Sequence, residues 1–147
     1  MDWINNIILG LIDTYSTNNV YELLDFLRIK IIKLEKTNIM LNHNEALYYR
    51  NYLGDEIIFI KNDLSPNYER FILSHELGHA LIHTSLSSAS FSNSFLNIGK
   101  LEKQANYFAI RLSNIKFNEE ELECMTIEQI ASCLELPYEP LKQLVNI

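Results

Sequence analysis

Three of the chain's four histidines, His75, His79 and His83, recur at every fourth position, and Glu76, Leu77 and Gly78 fill the first interval. On a helix, residues four apart share a face and lie about 6 Å apart along the axis. Two imidazoles placed that way can converge on one tetrahedral ion, and zinc is the ion this spacing suits. Glu76 would project about 100° around the helix from His75, beside a metal-bound water and not on the metal. That trio equips a site for hydrolysis: an electrophile, a water and a base. The competing account makes His75 and His79 core histidines that happen to flank Glu76. It leaves an ionised carboxylate buried without a partner, which is costly.

A catalytic zinc takes three protein ligands and keeps one position for water. His83 continues the spacing, but it would stand about 12 Å from His75 along a straight helix, while two nitrogens on one zinc can be separated by little more than about 4 Å at most. His83 therefore reads as a core histidine or a partner of a ligand. A third histidine six residues after His79 would complete another known pattern, and Ser85 stands there. Glu102 is the first acid after the motif, and Asn106 lies one turn further along, where its amide could hold a ligating imidazole. On spacing alone, Glu102 is either the third ligand or a solvated glutamate in a first helical turn.

The surrounding elements must bring these residues together. Ser65-Pro66 reads as an N-cap followed by proline at the first helical position, opening a helix over residues 66–83. Its apolar residues, Phe71 to Leu73, Leu77 and Ala80 to Ile82, leave little polar surface, so it should be packed on more than one side. Residues 101–112 form a second helix with Leu101, Ala105, Phe108, Ala109 and Leu112 on one side. Between them, residues 84–99 are Ser- and Asn-rich with Phe91 and Phe95, and read as a loop that either gates the substrate or is ordinary surface.

Upstream, Trp3, Ile4, Ile7, Ile8, Leu11 and Ile12 space out as an amphipathic helix docked on the domain. Residues 20–28 are helical and run into a β-branched strand at Ile29, Ile31 and Ile32. Residues 46–50 and 56–60 form a hairpin around Leu53-Gly54-Asp55. If the second strand is a sheet edge it could receive an extended substrate; otherwise it pairs only within its sheet. Downstream, residues 119–123, 126–134 and 138–145 read as short helices. The expectation is an α+β fold, one domain over residues 1–147: helices and small sheet to 64, site helices over 65–114, helical C-terminal part from 115.

A net charge of −7 without a basic run disfavours direct nucleic-acid binding. No stretch offers the roughly 18 apolar residues of a membrane span. Cys124 and Cys133 lack metal or secretory spacing and read as reduced thiols in a helical core, which makes the cytoplasm the expected compartment. A purely structural zinc would need one of them as fourth ligand, and their spacing does not suggest it.

The segments Tyr68-Glu69-Arg70-Phe71-Ile72-Leu73-Ser74-His75-Glu76-Leu77-Gly78-His79-Ala80-Leu81-Ile82-His83 and Leu101-Glu102-Lys103-Gln104-Ala105-Asn106-Tyr107-Phe108-Ala109 together resemble the ImmA/IrrE family of zinc peptidases. The resemblance is strongest over residues 57–109 and implies a reduced zincin-like fold with Glu102 as the third zinc ligand. It also implies a substrate class, since members on phages and mobile elements typically cut a helix-turn-helix repressor encoded beside them, acting as antirepressors. Two departures stand out: Gln104 occupies a position where an acid is frequent, and Ile110-Arg111-Leu112-Ser113 replaces a Leu-Leu-x-Pro-like tail.

These readings combine into a zinc peptidase in which His75, His79 and Glu102 hold one zinc ion and Glu76 moves the proton. Asn106, His83 and Tyr107 are candidates for the surrounding shell, the last two also as oxyanion donors. The alternative is a zinc-bearing regulator that binds a repressor or signalling partner without cutting it.

Overall fold

The computed structural model describes residues 1–84, 95–114 and 123–145, the side chains of 95–98 and 144–145 excepted. Six α-helices and a three-stranded sheet make up the described chain, an α+β architecture. Helix α1 (Asp2–Tyr15) buries Ile4, Ile8 and Leu11, the helical spacing expected of a docked amphipathic segment, and packs against α4. Helix α2 (Val20–Phe26) is capped by Asn19, whose side chain accepts from the Tyr21 N–H.

Strand β1 (Ile29–Leu34) follows, then a 3-10 turn at Ile39–Leu41 and the hairpin of β2 (Ala46–Arg50) and β3 (Glu56–Lys61). Gly54 closes that hairpin with φ 90°, a conformation side chains resist. The strand order is β1-β3-β2, with β1 parallel to β3 from Ile29↔Glu56 to Leu34↔Lys61 and β2 antiparallel to it. The strand proposed as a possible edge is therefore the central one. Its continuous Ile57-Ile58-Phe59-Ile60 run suits a strand flanked on both sides, and the free edge on the hairpin side belongs to β2.

Helix α3 (Pro66–Ile82) runs across the inner face of the sheet, buried at Phe71, Ile72, Leu73, Leu77 and Ala80, and ends at His83. Its first half is pinned by Glu69, which is 7% exposed: the carboxylate accepts from the Tyr21 hydroxyl at 2.6 Å and pairs with Lys33 of β1 at 3.1 Å. Helix α4 (Phe95–Leu112) packs along α3 and buries Ala105, Phe108, Ala109 and Leu112 completely or nearly so. The two helices approach closely at Gly78, where a Cβ would lie 3.3 Å from the Ala105 Cα and 3.2 Å from the Phe108 ring.

Helix α5 (Ile127–Leu134) starts at a capping box between Thr126 and Gln129, and α6 (Tyr138–Val145) packs on both α5 and α4 with Leu141 buried.

Two further expectations change, and two segments are not described. Residues 95–99, read as loop, are the first turn and more of α4; Gly99, a poor helix former, and the Ser- and Asn-rich run before it hide the helix start in the sequence. Residues 85–94 and the expected helix at 119–123, Glu123 apart, lie outside the described residues. Cys124 and Cys133 are exposed free thiols, not core residues, because α5 buries little beyond Ala131 and turns Cys133 outward. Among the described residues, no helix is long and apolar enough to cross a membrane.

Candidate active site

The last two turns of α3 and the middle of α4 build the site. His75, Glu76, His79 and His83 fall within about 100° of one another around the helix, on an arc turned towards α4 and β2, while Leu77 on the far side is buried in the core. Glu102 approaches from α4 with its two oxygens split between the histidines: Oε2 is 3.3 Å from His75 Nε2 and Oε1 is 3.2 Å from His79 Nε2. The two Nε2 atoms are 3.1 Å apart.

This is a convergent set of donor atoms. Tetrahedral zinc with bonds of about 2.0–2.1 Å places its ligand atoms roughly 3.3 Å from one another. The separations are close to that value, and two imidazole nitrogens with one carboxylate oxygen of Glu102 make a donor set that could hold a metal ion. Among the described residues this is the one His/Cys/Asp/Glu group that could hold a metal ion.

Each imidazole is held from behind. His75 Nδ1 meets Asn106 Oδ1 at 2.8 Å, and the Asn106 amide nitrogen donates to Gln143 Oε1 of α6 at 3.0 Å. His79 Nδ1 meets His83 Nδ1 at 2.9 Å, and His83 Nε2 meets Gln104 Oε1 at 3.2 Å. A metal bound by both Nε2 atoms would put the protons on Nδ1 of His75 and His79. His75 would then donate to Asn106, His79 to His83, and His83 to Gln104.

Glu76 stands apart from the ligands. One oxygen, Oε2, accepts the backbone N–H of Tyr48 at 2.9 Å. That N–H lies on the free edge of β2. Lys61 N–H bonds to Glu45 and Asn51 N–H bonds to Asp55, so odd-numbered residues pair with β3 and the backbone groups of Ala46, Tyr48 and Arg50 face outward. A cleft runs between this edge and the cluster, lined by Ala46, Tyr48, Arg50, Glu76, His79 and Glu102.

The electrostatics separate the two acids. Hydrogen bonds from His75 and His79 hold the Glu102 carboxyl well below the usual carboxylate range. Burial pushes Glu76 up, against the pull of both histidines and the Tyr48 N–H. Burial would push His75 down, but hydrogen bonds to Glu102 and Asn106 and the charge of Glu76 outweigh it and the net direction is up. His83 is pushed down by burial.

Of the residues singled out from sequence, His75, Glu76, His79, Glu102, Asn106 and His83 come together here. Tyr107 does not: its hydroxyl donates to Asn5 of α1 at 3.1 Å, and Arg111 lies over its ring. Three contributors escaped the sequence reading. Gln104 had a signal, as a departure from the acid frequent at its position; the Tyr48 N–H and Gln143 had none, being a backbone group and a residue 37 positions from its partner.

The chain matches the IrrE N-terminal-like domain across residues 28–146. It is similar to Metallopeptidase ImmA of Bacillus subtilis (strain 168), at 33% identity over 135 residues that cover 87% of this chain and 75% of that protein. It is also similar to a Bacillus phage phi105 protein named uncharacterized immunity region protein 2, at 32% identity over 103 residues, 69% of this chain and 62% of that one. No solved structure matches it. A family match that takes in both site helices, the sheet and the C-terminal helices means that the chain belongs to the IrrE N-terminal-like peptidase family.

Proposed function

We propose that this chain is a zinc-dependent endopeptidase of narrow specificity that cleaves a helix-turn-helix repressor and so releases phage or mobile-element genes. The observation that carries the enzymatic part is the convergence of His75 Nε2, His79 Nε2 and the Glu102 carboxylate, whose facing atoms lie 3.1–3.3 Å apart, about the spacing of ligand atoms around zinc. Zinc held there supplies an electrophile for a peptide carbonyl and lowers the pKa of a bound water.

The chain's own residues do the rest. Glu76 is anchored through Oε2, which leaves Oε1 to take a proton from the attacking water and pass it to the leaving amine. Its upward shift matches both halves of that task, because a more basic carboxylate accepts the proton more readily and still returns it to an amine. The outward backbone groups of Ala46 and Arg50 and the Tyr48 carbonyl offer an extended peptide hydrogen bonds along the cleft. A substrate drawn into extended form fits a repressor with an exposed or opened segment. The immunity-region name of the phage relative supports a repressor as target. The exposed free thiols Cys124 and Cys133 suit a reducing compartment, and we place the protein in the cytoplasm.

Co-expression with the helix-turn-helix protein encoded nearest to this gene, followed by intact-mass analysis of that partner, tests the proposal. The expected result is two fragments with the parent chain and an intact partner with Glu76→Gln. If Glu76→Gln still inactivates the repressor while the repressor stays whole, the protein acts by binding and the peptidase reading is wrong.

A further inference from the structure

We infer that Gln143, on the C-terminal helix α6, is a positioning residue for the metal centre, acting through Asn106 to set the proton on His75. The inference rests on reading the His75, His79 and Glu102 cluster as the metal site. An asparagine amide has one accepting and one donating end. His75 can offer Nε2 to the cluster only in the tautomer with its proton on Nδ1, and that proton needs an acceptor; Asn106 Oδ1 provides it at 2.8 Å. The other end of the amide is then a pair of N–H donors in a position only 8% exposed, where water is scarce. Gln143 Oε1 receives one of them at 3.0 Å.

With that acceptor present, Asn106 has one favourable orientation. Without it, the amide gains nothing by keeping its oxygen on His75 and can turn its nitrogen there, favouring the tautomer whose Nε2 carries the proton and cannot bind. Leu141, buried on the same helix, seats α6 against α4 and so fixes where Gln143 reaches. The role is one of polarity and not of size. An acceptor at 143 preserves the arrangement; a donor reverses it.

Zinc affinity, measured by chelator competition, is the readout, with circular dichroism of each metal-free variant as the check on folding. Gln143→Glu should bind within about twofold of the parent. Gln143→Leu should bind about tenfold more weakly, the lower end of what outer partners of a ligating histidine contribute, and Gln143→Lys more weakly still. A packing role would treat Glu and Lys alike. The order should invert in the Asn106→Asp background, where the second carboxylate oxygen wants a donor: there Lys at 143 is tolerated and Glu is not. Nitrogen-15 NMR of the zinc-loaded parent should find the His75 proton on Nδ1. Equal zinc affinity for Gln143→Glu, Gln143→Leu and Gln143→Lys, or no inversion with Asn106→Asp, overturns the inference while leaving the metal site intact. A parent chain that takes up no zinc overturns both readings.

Discussion

Helix α3 carries two largely buried glutamates seven residues apart, and they have opposite surroundings. Glu69, in the first half, accepts a hydrogen bond from the Tyr21 hydroxyl and pairs with Lys33, so its charge is met by partners from two other elements. Glu76, in the second half, has a single backbone N–H, and burial raises its pKa. The same side chain on the same helix is thus a rivet at one end and a reactive base at the other. The difference lies in how completely the neighbours satisfy the charge: a carboxylate with its lone pairs engaged holds elements together, and one left partly unsatisfied remains available to a proton.

The sharpest way to break the comparison is to neutralise each glutamate in turn. Glu76→Gln should lower the rate of repressor cleavage by at least about 10²–10⁴-fold, the usual worth of a general base. Zinc content, measured by atomic absorption, should be unchanged. Glu69→Ala should do the reverse, leaving the cleavage rate per folded molecule intact and costing about 1–3 kcal/mol in urea denaturation. The figure is held down because Lys33 is half exposed and its charge can return to water. A Glu69→Ala protein that is stable but inactive would erase the distinction between the two ends.

The reactive half also depends on how near α4 comes. In Gly78→Ala the new methyl would press on Phe108 and the Ala105 Cα at 3.2–3.3 Å, which forces α4 outward by a few tenths of an ångström. Overpacking of about 1–3 kcal/mol exceeds the gain of about 1 kcal/mol from replacing a helical glycine, so a net loss on the order of 1 kcal/mol is expected. Zinc affinity should fall as well, since Glu102 rides on the displaced helix. A variant as stable as the parent with undiminished zinc affinity would show that α4 has slack.

The smallest effect concerns the rivet. The Tyr21 hydroxyl is pushed up to about 12 from its ordinary 10.0, by burial first and then by its hydrogen bond and the charge of Glu69. A raised folded-state pKa stabilises the fold below pH 10, and that contribution drains away between pH 10 and about 12. Tyr21→Phe lacks it. The stability difference between parent and Tyr21→Phe, followed by denaturant midpoint, should be constant below pH 10, shrink through that interval and level off above it. A difference that is flat throughout would mean that Tyr21 and Glu69 are not coupled.

How much of this was legible in the sequence depended on the range of the interaction concerned. Ser65-Pro66, the apolar run of α3 and the His75/His79 spacing are local signals, and they located the first site helix and its histidines; for Glu102 the spacing left two readings open, and the family resemblance chose between them. The hairpin was legible for the same reason, with Gly54 at its turn. The parallel pairing of β1 with β3 has no local signature, because strands that far apart in the chain find each other only through the helices between. Gln143 and the Tyr48 N–H reach the site from other elements, and Tyr107 was assigned to the site only because it neighbours Asn106. One step along a helix turns a side chain by about 100°, enough to send it to α1. The exposed cysteines misled for a related reason: a short helix that buries one residue type on one face says little about the rest.

The hydrogen bond from Tyr48 to Glu76 has a consequence for solubility. An uncovered strand edge is a template on which another chain can add a strand, and β2, with its exposed Leu47 and Tyr49, is such an edge. Glu76 takes up one of its outward donors, the Tyr48 N–H, and sets a carboxylate oxygen where an incoming strand would present a carbonyl. A strand added there loses its bond to the Tyr48 N–H and keeps those to Ala46, the Tyr48 carbonyl and Arg50, so the edge can receive a short peptide while a long regular ladder with a second copy is interrupted by the same side chain that is poised to move a proton.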